Sequence, residues 1–191
     1  MQIVYLTDIH DNFSGVSQVL NSTEADLYVL SGDLTYHAFG SDDEALFRFI
    51  ELQEKIRTLI SDRSDPLATL QYARAAQEQM QEVQLPAAEG AVYIALAERA
   101  RAELLRKYQT LAKAIVPTGR KTIVIPGNYD LPLSETAVAD YDLHEKTIEW
   151  EGIRFAGYGS APVFTPGIPE EIAARFEEHG TGTKLISWPC A

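Results

Sequence analysis

Asp8, His10, Asp33 and Asn128 carry donor atoms suited to a cation, and each sits just past an apolar run. Asp8 and His10 lie two residues apart after Ile3-Val4-Tyr5-Leu6. Asp33 follows Leu27-Tyr28-Val29-Leu30 and the pair Ser31-Gly32, and Asn128 follows Ile123-Val124-Ile125 and Pro126-Gly127. Short apolar runs that end in polar, glycine-bearing segments read as buried strands. Carboxylate, imidazole and amide donors are hard or borderline ligands for a divalent cation such as manganese, iron or zinc. A carboxylate placed like Asp33 can bridge two cations about 3.5–4 Å apart, an arrangement that binds phosphate oxygens, acidifies water and supports in-line attack on phosphorus. Each residue also has a plainer reading: Asp8 as a helix cap, His10 as a surface histidine, Asp33 and Asn128 as turn residues. Three strand-end motifs in one chain weigh against all of these at once.

The elements that must position these groups are legible in part. Residues 2–7 read as the first strand. Phe13, Val16, Val19 and Leu20 recur at helical spacing across residues 12–21, and a second strand ends at Leu30. A strand–helix–strand unit of this length implies parallel pairing through a right-handed crossover. The carboxyl ends of adjacent parallel strands then line one crevice.

Residues 41–116 read as an inserted helical subdomain. Ser41 and Glu44 suggest a capping box, with Asp42 and Asp43 in the first turn. Leu46, Phe49, Ile50, Ile56, Leu59 and Ile60 form the apolar stripe of the first helix. Asp65-Pro66 reads as the start of a second helix carrying Leu70, Ala73, Met80 and Val83. Pro86 starts a long third helix, which Gly90 weakens near its beginning. The insertion reads as packing or cap, with stripes that also suit a dimer surface. Beyond it come a third strand at 121–125, a turn or short helix at 134–139, and a strand pair joined at Glu151-Gly152. A proline-rich loop, a helix from Pro169 to about His179 and a last strand at 184–187 complete the reading.

A chain of 191 residues supports one domain. The formal net charge is −12 and no Lys/Arg cluster stands out, which argues against a nucleic-acid partner. A small phosphorylated substrate stays compatible, because bound cations reverse the local field. With Cys190 the sole cysteine, no internal disulfide forms, which fits a reducing compartment. No leader-like or membrane-spanning segment is read, so the expectation is a cytoplasmic protein without membrane contact. His37, His144 and His179 read as a loop-surface, a structural and a helix-end histidine respectively.

With Thr7-Asp8-Ile9-His10, Ser31-Gly32-Asp33-Leu34-Thr35 and Pro126-Gly127-Asn128-Tyr129-Asp130 in this order, the chain resembles the calcineurin-like metallophosphoesterase superfamily. Gly152-Ile153-Arg154-Phe155-Ala156-Gly157-Tyr158-Gly159-Ser160 is similar to the strand pair that follows in small prokaryotic members. The resemblance implies an α/β fold with a β-sandwich core, flanking helices and the helical insertion at about 41–116. It implies Asp8 and His10 on a first metal, Asp33 as the bridge and Asn128 on a second metal. It places Asn128, Tyr129 and Asp130 in the catalytic group, with up to two manganese, iron or zinc ions as cofactors. The implied activity is hydrolysis of a phosphomonoester or phosphodiester by cation-activated water.

Two departures from the family pattern carry expectations of their own. The family has a histidine where this chain has Tyr129, and tyrosine, with a reference pKa of about 10, is a poor general acid at neutral pH. The family continues with a histidine where Trp188 stands, then a Gly-His-x-His segment that does not occur before Ala191. Weakened binding at the second metal site is therefore expected, as is a C-terminally incomplete sandwich whose uncovered edge or face favours a homo-oligomer. A non-catalytic scaffold using the same fold, and a fragment of a longer enzyme, remain the competing readings.

Overall fold

The computed structural model of the chain describes residues 1–159 and 164–171. Among them the order is β1 (Ile3–Thr7), α1 (Phe13–Ser22), β2 (Leu27–Ser31), α2 (Asp43–Leu59), α3 (Ala68–Gln77), α4 (Ala87–Ile115), β3 (Thr122–Ile125), β4 (Lys146–Trp150) and β5 (Ile153–Gly157), with short 3-10 turns between. The strands β1, β2 and β3 form a parallel sheet in that order. Its register sets Thr7 beside Ser31 and Ser31 beside Ile125, so the three polar motifs leave the sheet from one edge.

The central strand shows why a parallel sheet forms. Leu27, Tyr28, Val29 and Leu30 are all buried, the continuous apolar run expected when both faces are covered. On one face Tyr28, Leu30 and Val124 pack with Val16 and Leu20 of α1 and with Leu104, Tyr108 and Leu111 of α4. On the other, Leu27, Val29 and Ile123 meet Leu143, Ile148 and Phe155. The latter two belong to the antiparallel β4–β5 hairpin, whose turn uses the left-handed pair Glu151 and Gly152 (φ 51° and 77°). At the edge strand β1 the same face leaves Ile3 and Tyr5 exposed. The fold is thus mixed α/β, with a small parallel sheet and helices. Among the described residues the sheets are this three-stranded parallel sheet and the two-stranded hairpin.

Other expectations are corrected. The stretch 41–116 contains α4, which packs on the sheet beside α1 and leads through a 3-10 turn (Val116–Thr118) into β3. It therefore includes the crossover that parallel β2 and β3 require. The N-cap of α2 is Asp42, whose Oδ1 accepts from the Ala45 N–H at 3.1 Å. Ser41 is displaced because Asp42 caps and also pairs with Arg99 at 2.7 Å. The second helix stops at Gln77 rather than continuing through Met80 and Val83. Gly90 is no weak point, since a Cβ there would lie 2.5 Å from the Ala73 carbonyl oxygen. It lets α3 and α4 cross closely. Residues 172–191, with most of the helix expected to reach His179, the strand at 184–187, Trp188 and Cys190, lie outside the described residues. So do 160–163 of the proline-rich loop. No helix among the described residues is long and apolar enough to cross a membrane.

Candidate metal centre

The first motif leaves β1 and turns sharply. Asp8, His10 and Asp11 adopt left-handed backbone (φ 51°, 45° and 66°), as do Gly32 and Asp33 in the second (69° and 44°). Asp, Asn and His tolerate this region better than other side-chain-bearing residues, and such strain concentrates where surroundings hold a site in place. Backbone bonds do the holding here. The His10 N–H donates to the Asp33 carbonyl at 2.9 Å, and the Asp11 N–H to that of Leu34 at 3.1 Å. The cap of α1 is Asn12, whose Oδ1 accepts from the Gly15 N–H at 3.1 Å. That role does not fall to Asp8.

The result is convergence. One donor atom each from Asp8, His10 and Asp33 lies within 4.8 Å of the others. His10 Nε2 stands 3.6 Å from Asp33 Oδ2, and Asp33 Oδ1 accepts the Tyr129 N–H at 3.3 Å. Among the described residues neither Asp8 nor Asp33 has a Lys or Arg partner. Two carboxylates facing one imidazole without a neutralising cation suit a divalent metal. The donor set fits such an ion.

Asn128 lies on the same crevice, of about 300 Å³, with Asp8, Ser31, Asp33, Gly127 and Tyr158. Its Nδ2 donates to Thr165 Oγ1 at 3.1 Å. That bond commits the amide nitrogen and leaves Oδ1 as the end for a cation. Thr165 belongs to the segment 164–171, which is clamped to the helices. There Gln53 bonds Gly167 N–H (3.1 Å) and the Ile168 carbonyl (2.8 Å), while Arg57 pairs with Glu170 at 2.7 Å. The hydroxyl-free isostere Thr165→Val should loosen Asn128 and weaken Mn2+ binding about tenfold, the usual scale for a residue that orients a ligand. A titration followed by water-proton relaxation measures it, and unchanged affinity would show that Asn128 is held by other means or is no ligand.

Gly127 sets the closeness of the second and third motifs. A Cβ there would fall 2.3 Å from both the backbone nitrogen and Oδ1 of Asp33. Gly127→Ala must push the two loops apart, at about 2 kcal/mol, which lowers the melting midpoint by about 4–8 °C in a domain of this size. A thermal melt tests it; an unshifted midpoint would mean the loops give way freely.

Tyr129 and Asp130 differ in placement from the crevice residues. The Tyr129 ring packs with Tyr36 (5.9 Å, stacked) and His10 (6.2 Å), beside the candidate metal rather than on the crevice wall. Asp130 is fully buried. Its carboxylate accepts from the N–H groups of Gly127 (2.7 Å), Leu34 (3.1 Å) and Thr35 (3.1 Å) and from the Tyr108 hydroxyl (2.8 Å). Burial pushes the Asp130 carboxyl up to about 6, and those donors pull it back. Burial and the Asp130 charge hold the Tyr108 hydroxyl well above the ordinary tyrosine value, so Tyr108 remains a donor. Asp130 thus ties the second and third motifs together and acts as a positioning residue.

Two residues of α4 also reach the loops. Beside Tyr108, Lys107 Nζ bonds Asp11 Oδ2 and the His37 carbonyl, each at 2.5 Å. Burial, then the Lys107 charge, lowers the His37 pKa. His37 accepts the Phe39 N–H through Nδ1 at 3.3 Å, and His144 likewise accepts the Gly159 N–H at 3.1 Å. Both serve loop structure.

No family model and no curated protein matches the chain. A solved structure aligns with 87% of this chain at 16% identity and a TM-score of 0.48, and the chain spans 56% of that structure's length. Likeness at that level supports no argument about fold or activity.

Proposed function

We propose that the chain is a divalent-metal-dependent phosphoesterase of the calcineurin-like type. The observation that supports this reading most is the convergence of Asp8, His10 and Asp33 donors within 4.8 Å at the carboxyl edge of a parallel sheet. That edge is the usual ligand position in open α/β sheets. Asp8, His10 and Asp33 would hold the ion, and Asn128 Oδ1 would add a donor from the third motif. A bound divalent cation supplies Lewis-acid stabilisation of phosphoryl oxygens and lowers the pKa of water. The protein's part is placement. Asp33 is fixed by the Tyr129 N–H, Asn128 by Thr165, and both loops by Asp130.

The position of Tyr129 favours a second reading, a non-catalytic metal-binding scaffold. Its ring stacks on Tyr36 and does not line the crevice, so no described side chain of the third motif is poised to protonate a leaving group. Hydrolysis of p-nitrophenyl phosphate and its bis-ester with Mn2+, Zn2+ or Fe2+, abolished by EDTA and restored by metal, supports the enzyme. Metal retention without turnover of either ester would support the scaffold.

A further inference from the structure

We propose that Tyr36 is a stacking platform for the organic part of the substrate. The crevice then takes phosphate esters that carry a planar aromatic ring in preference to alkyl esters. This rests on the phosphoesterase reading and adds the substrate class.

Tyr36 lies one residue past the second motif, with its ring centroid 5.2 Å from that of His10. The Tyr129 ring stacks on it at 5.9 Å and an interplanar angle of 29°, and His37 packs at 4.7 Å. Despite three aromatic neighbours, Tyr36 remains 47% exposed. A large ring left open beside a candidate metal ligand is the composition of a ligand site, where apolar surface adjoins a few convergent polar groups.

The backbone around this ring is pinned on both sides. Thr35 N–H bonds Asp130 at 3.1 Å, and the Thr35 hydroxyl bonds the Tyr129 carbonyl at 2.8 Å. The His37 carbonyl accepts from Lys107 at 2.5 Å. The platform is therefore preorganised, and little conformational entropy is lost when a second ring lies on it. His10 joins the two parts of the site: its Nε2 faces Asp33 and its ring adjoins Tyr36. A substituent directed from the cation past His10 would meet the tyrosine. A plainer role exists, in which Tyr36 only orients His10. That role would affect every ligand of the site equally, whereas stacking discriminates between them.

The test is binding of phosphonates, whose C–P bond is not hydrolysed, to the full chain loaded with Zn2+, followed by calorimetry. Phenylphosphonate should bind about tenfold tighter than methylphosphonate, within the range that aromatic stacking supplies. Tyr36→Ala should close that gap by lowering phenylphosphonate affinity more than methylphosphonate affinity, and Tyr36→Phe should preserve it. Equal affinities in the unaltered protein, a gap that survives Tyr36→Ala, or an equal loss for both ligands would overturn the platform while leaving the phosphoesterase reading intact. Loss of the gap in Tyr36→Phe would replace stacking by a hydroxyl contact and overturn it too. Failure of both phosphonates to bind the Zn2+-loaded protein would overturn the phosphoesterase reading and this inference with it.

Discussion

Asp33→Asn is expected to lower metal-dependent phosphoester hydrolysis about a thousandfold while leaving the fold in place. The loss corresponds to the several kcal/mol of charge stabilisation that a cation contributes in such a site. Asparagine is the informative substitute. Asp33 sits at φ 44°, which asparagine tolerates and alanine does not without strain. The amide oxygen can still accept the Tyr129 N–H, now 3.3 Å from Asp33 Oδ1. The backbone bond from His10 to the Asp33 carbonyl, at 2.9 Å, is untouched. What disappears is the negative charge facing His10 and the candidate cation. Steady-state rates with Mn2+ read the effect, with a thermal melt as control. Turnover within tenfold of the unaltered protein would show that Asp33 is not a ligand.

The largest expected effect on stability is at Asp130. Asp130→Asn puts an amide group among backbone N–H donors from Gly127, Leu34 and Thr35, so at least one buried donor loses its acceptor. Leaving a buried donor unsatisfied costs about 1–3 kcal/mol, or a melting midpoint lower by about 2–12 °C for a chain of this length. The pH dependence is also set. The carboxyl is raised from 3.8 to about 6, so between those values the folded state holds more protons than the unfolded state. Stability from this group is then full below about pH 4 and is lost as pH rises through about 6. The gap between 3.8 and 6 is worth about 3 kcal/mol. Denaturant melts in EDTA, compared for the unaltered protein and Asp130→Asn from pH 4 to 7, should show a downward slope that the variant lacks. Parallel curves would assign the slope to other groups.

The strand-end motifs were legible because they are local. A buried run, a glycine and a polar donor occupy a few consecutive residues, and parallel pairing follows from the length of the crossover. The hairpin at Glu151-Gly152 was readable for the same reason. The supports of the site were not, because they join segments far apart in the chain. Lys107 reaches Asp11 across 96 residues, and Thr165 reaches Asn128 across 37. Tyr108 reads as one more apolar position on a helical stripe, and nothing local shows that its hydroxyl lies on Asp130. The role of α4 was hidden likewise. Its periodicity says that one face is buried, not that the sheet buries it. Asp130 stands two residues past Asn128 in sequence, yet the chain turns between them and buries Asp130, which no local pattern shows.

Metal stoichiometry tests the central claim most directly. The full chain, stripped with chelator and dialysed against micromolar Mn2+ or Zn2+, should retain at least one equivalent per chain, and the double variant Asp8→Ala/Asp33→Asn should retain none. A chain that binds neither ion, or a double variant that retains as much as the unaltered protein, would contradict a cation held by Asp8, His10 and Asp33.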